Sequence, residues 1–154
     1  MVNHSRIKAF TLIEILIVLG MFLGILVIVL PIGIRELQFN KAQNTAYDIE
    51  SSIHLAQSNS FSGLDSSSYG VAIFNDHYIF FKGESLSSAV SQDEFRYNNG
   101  VSIKNNSLNP STTEIVFDAG ALKANCEGSF DIGSDVDNYR ITINKIGLIS
   151  LIKL

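Results

Sequence analysis

The sequence contains one cysteine, Cys126, in 154 residues, so no intrachain disulfide can form, a count compatible with an exported location. Cations are scarce and scattered: 11 Lys and Arg face 15 Asp and Glu, for a formal net charge of −4. That balance argues against a phosphate-binding surface as the main function, because such surfaces need clustered Lys and Arg. No Gly-x-Ser-x-Gly elbow and no Gly-rich phosphate loop occur, so neither nucleophilic hydrolysis nor nucleotide binding has its usual sequence support. His4, His54 and His77 lie far apart with no metal-ligand spacing, and solvated or structural histidines are expected. Cys126, beside Glu127, has no activating base in sequence and reads as an inert thiol. Catalytic residues, metal ligands and cofactors are therefore not expected. The most informative absence is charge in residues 10–34, where Glu14 is the only ionisable side chain.

Between Glu14 and Arg35 lie 20 uncharged residues, the length that crosses a hydrocarbon core of about 30 Å. The run exceeds the usual core of a secretory signal peptide and has no Ala-x-Ala-like site close after it. Arg6 and Lys8 precede it, which by the positive-inside rule places the carboxyl end outside the cytoplasm. A carboxylate inside such a segment costs on the order of 2.5–3.5 kcal/mol on insertion scales, so a partner or a function is expected for Glu14. A cut immediately before Phe10 would create an α-amino group four residues from Glu14, on the same helix face. The pair could close within one subunit, or the carboxylate could meet the amine of a neighbour. A plain membrane anchor obeys the same charge rule but gives Glu14 nothing to do.

Lys8-Ala9-Phe10-Thr11-Leu12-Ile13-Glu14 resembles the class III signal of type IV pilins and type II secretion pseudopilins, with a short basic leader and a small residue before the cut. Ala9 stands where those families more often have Gly. Pro31, 21 residues after Phe10, stands where they carry a helix-loosening proline. The resemblance implies cleavage by prepilin peptidase between Ala9 and Phe10, N-methylation of Phe10, and a filament-assembly role for Glu14. It also implies as partners the inner-membrane assembly platform and other major and minor pilins or pseudopilins. The location implied is the inner membrane, with a single span and the head outside the cytoplasm. Loss of the leader would leave 9 basic and 15 acidic side chains, net −6.

Four segments are expected: a leader over residues 1–9, a membrane half of a helix over 10–34, an amphipathic half over 35–60, and a β-rich head over 61–154. Phe39, Ala42, Ala46, Ile49, Ile53 and Ala56 recur at intervals of three and four, the mark of an amphipathic stripe. One helix from Phe10 to about Ser60 follows, and Pro31 inside it removes a backbone hydrogen bond, predicting a kink or unwound turn. After a Ser- and Gly-rich loop the period changes to two. Residues 69–74 and 78–82 predict a hairpin around Asn75-Asp76-His77. Residues 83–93 read as a polar connection, and further strands are expected at 101–104, 114–117, 129–132, 139–143 and 148–152, the last two closing a hairpin at 144–147. The fold class is α+β, an antiparallel sheet covering the apolar stripe of a long helix.

Within the head, Tyr69-Gly70-Val71, Ile115-Val116-Phe117-Asp118-Ala119-Gly120 and Arg140-Ile141-Thr142-Ile143-Asn144-Lys145-Ile146-Gly147 resemble the minor pseudopilin H and FimT-type minor pilins. The FimT likeness raises a DNA-uptake alternative resting on Arg140, Lys145 and Lys153, but these are little clustered, which disfavours nucleic acid as a partner. A membrane-anchored sensor or enzyme head is a third reading. Asp131, Asp135 and Asp137 near Gly133 could offer oxygen ligands to calcium, but EF-hand spacing is absent and a solvated acidic loop is the favoured reading.

Overall fold

The computed structural model describes residues 11–154, with the side chains of residues 28–40 outside the description. The expected cut between Ala9 and Phe10, and the methylation of Phe10, lie outside the described residues. The chain divides into two compact units, Met1–Glu36 and Leu37–Leu154. Helix α1 (Leu12–Phe61) is all the described regular structure of the first unit, and its carboxyl-terminal part belongs to the second. Its backbone is helical without a break through position 31, and the kink expected at Pro31 rests on a residue whose side chain is outside the description.

In the second unit Ala42, Ala46, Ile49, Ile53 and Ala56 are fully buried, as their spacing predicts, while Phe39 lies outside the described side chains. The stripe continues one step further than the apolar residues suggest, to Ser60, which is also fully buried. Ile49 and Ile53 fill the centre of the stripe. Truncating either to Ala costs about 2–5 kcal/mol.

Eight strands follow: β1 (Tyr69–Ile73), β2 (His77–Lys82), β3 (Ser91–Arg96), β4 (Ser102–Asn106), β5 (Glu114–Phe117), β6 (Gly128–Gly133), β7 (Asn138–Ile143) and β8 (Ile149–Lys153). They form two four-stranded antiparallel sheets, ordered β3-β2-β1-β5 and β4-β6-β7-β8. The expectation of one sheet is thereby corrected. Alternation along each strand fixes which side chains point inward but not which strands are neighbours. Both sheets turn apolar faces to one core with α1, among them Val71, Ile115 and Phe117 from the first and Phe130, Ile132, Ile141 and Ile143 from the second.

The β1–β2 hairpin pairs Val71 with Phe80 and Ile73 with Tyr78, close to the expected register around Asn75 and Asp76. Strand β3 corrects the reading of residues 83–93 as connection throughout. All six of its residues are exposed, so no buried face imposes a period of two and the sequence pattern is silent there. The segment before it is not wholly solvated either: Leu86 and Ala89 pack on a second cluster of Ala72, Phe81 and Val116. Strand β1 is thus buried on both faces, and Gly70 is needed within it, since a Cβ there would meet the Phe81 ring at 2.6 Å and the Ile115 carbonyl at 2.8 Å.

Candidate functional site

Thr11 precedes α1, and its side-chain oxygen accepts a hydrogen bond from the Glu14 N–H at 3.3 Å. The Thr11 carbonyl accepts from the N–H groups of Glu14 and Ile15 at 3.1 and 3.3 Å. Thr11-x-x-Glu14 is the spacing of a capping box, in which hydroxyl and carboxylate satisfy orphan donors at the helix start and the acid complements the helix dipole. The pattern is present in the sequence, but weighing Glu14 only as a charge in oil obscures it. Glu14 is exposed and has no ion pair among the described residues. It shares a helix face with Ile15, Val18, Leu19 and Phe22.

Apart from Leu26, every Leu, Ile, Val, Met and Phe from Leu12 to Val27 is between 52% and 77% exposed. Isolated surface leucines are ordinary, but a helix apolar on all faces demands lipid or protein around it. Among the described residues no helix is long and apolar enough to cross a membrane. The described apolar side chains stop at Val27, so the run that the sequence carries over residues 10–34 is covered only in part.

Two polar side chains fasten the end of α1 to the sheets, and neither stands out in the sequence. Ser60 Oγ donates to the Phe117 carbonyl at 2.8 Å and accepts from the Tyr69 N–H at 2.9 Å, tying the helix to β5 and β1 together. Gln57 Nε2 donates to the carbonyls of Leu122 and Gly147 at 2.7 and 2.6 Å, joining the segment after β5 to the β7–β8 turn. Gly147 has φ +86°, and a Cβ there would collide with the Leu122 carbonyl. Ser60 could be found by extending the three-four spacing past Ala56. Gln57 leaves no such trace.

The three acids of the loop weighed for calcium each lie near a cation. Arg140 reaches Asp131 with Nε to Oδ1 at 2.6 Å and a terminal nitrogen to Oδ2 at 2.9 Å, and Asn105 adds a third hydrogen bond at 2.9 Å. Arg140 holds the Asp131 carboxyl below the usual carboxylate range. Asp137 sits 2.7 Å from Lys153 and Asp135 3.8 Å from Lys104. Among the described residues no group of three or more His, Cys, Asp or Glu could hold a metal ion. The three cations of the DNA alternative each lie near a carboxylate: Arg140 meets Asp131, Lys153 meets Asp137 and Lys145 lies 3.6 Å from Glu127. His77 stacks on Phe74 and bonds Asp76, and Cys126 is buried, with burial pushing its thiol up to about 11.

The chain is similar in structure to the minor pseudopilin EpsH from the type 2 secretion system of Vibrio cholerae, with a TM-score of 0.56 and 12% identity over 73% of this chain and 97% of that one. No protein-family profile matches the sequence, and neither does any curated protein. At that identity the likeness is one of fold. The α+β head of one helix and two antiparallel sheets is a pseudopilin-like head.

Proposed function

We propose that a protein with this head is a minor pilin or pseudopilin, a non-enzymatic structural subunit of a type II secretion pseudopilus or type IV pilus. Prepilin peptidase cuts between Ala9 and Phe10, the new amino group of Phe10 is methylated, and residues 10–34 hold the subunit in the inner membrane until assembly. The head then lies outside the cytoplasm and meets other major and minor subunits, while the assembly platform draws the helix into the filament. Pro31 loosens the helix where neighbours adjust their rise.

The observation that carries this reading is the amino-terminal part of α1, apolar on every described face, with one acid that has no cation among the described residues. In lipid that acid is costly. Beside the liberated amine of an adjoining subunit it is paired, and an acid left without that partner is the costlier state. The likeness of the head to a minor pseudopilin supports the same role independently of those residues. The pairing of Arg140, Lys145 and Lys153 with acids weighs against DNA uptake.

The test is incorporation of two variants into filaments in the native host. Glu14→Val removes the carboxylate and is cheaper in lipid, so it inserts normally but is not recruited. Thr11→Val removes only the capping hydroxyl, worth about 0.5–2 kcal/mol, and still assembles. Equal incorporation of Glu14→Val and the parent would refute the pairing role, and equal loss in both variants would assign Glu14 to the cap.

A further inference from the structure

The two sheets have four outer edges, and three carry a device against pairing with another chain. The outer edge of β5 is closed by Asn125, whose N–H donates to the Val116 carbonyl at 2.8 Å while its Oδ1 accepts from the Val116 N–H at 2.9 Å. Strand β4 is broken by a register shift between Ile103 and Asn105. Strand β3 carries Asp93, Glu94 and Arg96 on an entirely exposed strand. These are the cover, the bulge and the charges by which soluble sheets avoid edge-to-edge association.

Strand β8 has neither cover nor bulge, and its one charge, Lys153, stands at its last position. Its bonds to β7 fall at even positions: the Leu148 carbonyl accepts from Asn144 at 3.1 Å, and the Leu154 N–H donates to Asn138 at 2.9 Å. Ladder bonds in an antiparallel pair alternate, so the N–H and C=O groups of Ile149 and Leu151 point to the outer edge. Among the described residues none of these four groups has a hydrogen-bond partner outside β8. Ser150, Ile152 and Leu154 are exposed, Ile152 by 51%, and the stretch has no charge before Lys153, which faces Asp137.

We propose that β8 is a pairing edge whose occupant is β8 of a second copy of this chain, antiparallel about a two-fold axis at Leu151. The choice of occupant follows from the pattern of charge. The edge asks for an extended, uncharged, apolar strand, and Ile149-Ser150-Leu151-Ile152 is one. In this register the two Leu151 residues exchange both backbone hydrogen bonds, and Ser150 of each copy stands opposite Ile152 of the other. Lys153 falls opposite Ile149, so like charges do not confront each other. This inference does not depend on the assembly role.

The experiment is sedimentation of the full chain in density-matched detergent micelles over a range of protein-to-detergent ratios. The parent dimerises. Ser150→Lys/Ile152→Lys, at exposed positions, places like charges in register twice and raises the dimer dissociation constant about tenfold or more, as does Ser150→Glu/Ile152→Glu. Mixing the two variants restores a heterodimer, because each Lys then faces a Glu, and a loss caused by misfolding would not be restored. In the parent dimer the Leu151 amide exchanges hydrogen more slowly than in the monomer. A monomeric parent, or variants that dimerise as the parent does, would overturn the proposal.

Discussion

Ser60→Ala tests how the head is fastened to its helix. The side chain is fully buried and stands between two backbone groups, the Tyr69 N–H at 2.9 Å and the Phe117 carbonyl at 2.8 Å. Alanine fills almost the same space, so the cost of a cavity is small and what remains is the loss of both bonds. A buried backbone group left without a partner costs about 1–3 kcal/mol, and the relieved burial of the hydroxyl offsets part of the total. The net loss is about 2–4 kcal/mol. For a domain of this size that lowers the melting temperature by about 10 °C. The assay is thermal unfolding of the full chain in detergent, followed by near-ultraviolet circular dichroism, because the buried Tyr69, Tyr78, Tyr97 and Tyr139 report on the head. Ser58→Ala, an exposed neighbour on the same helix, is the control and shifts stability by less than about 0.5 kcal/mol. If Ser60→Ala melts within about 2 °C of the Ser58→Ala control, the two bonds do not hold the helix to the sheets and the reasoning fails.

Two further outcomes follow from the head. Gly147→Ala forces a Cβ into the Leu122 carbonyl at a positive φ and disturbs the Gln57 bridge, so the melting temperature falls clearly, whereas Gly100→Ala, also at positive φ but with open space around it, costs less. Comparing the two melting curves separates collision from backbone strain. Asp131 sits below the usual carboxylate range because of Arg140, so its contribution is complete above the unfolded value near about 4 and is lost as pH falls through the lower folded value. Asp131→Asn is therefore less stable than the parent at neutral pH, and the gap narrows as pH drops below about 4, measured as melting temperature against pH.

Much of this architecture is legible in the residues because burial imposes a period. The spacing of Ala42, Ala46, Ile49, Ile53 and Ala56 gives the buried face of α1, and the alternation of Tyr139, Ile141 and Ile143 gives that of β7. Where nothing is buried the sequence is mute, as at β3, all of whose residues are exposed. Strand order is equally hidden: Phe117 and Phe130 both read as inward-facing, yet belong to different sheets. Of the fastening residues, Ser60 continues the three-four spacing of the buried stripe, while Gln57 is hidden because its role comes from carbonyls far along the chain. For the amino-terminal site, chemistry is easier to read than geometry. Glu14 is conspicuous because nothing else in residues 10–34 is charged, whereas the capping of its N–H by the Thr11 hydroxyl is seen only in the structure.

The central claim is that Glu14 is answered by an amine that cleavage creates at Phe10. Intact-mass measurement of the protein extracted from the membranes of a host with an active prepilin-processing enzyme addresses it most directly, with Ala9→Leu alongside. The account predicts a parent chain that begins at Phe10 and carries one added methyl group, and an Ala9→Leu chain that keeps its first nine residues. A parent chain that still begins at Met1 under those conditions would contradict it.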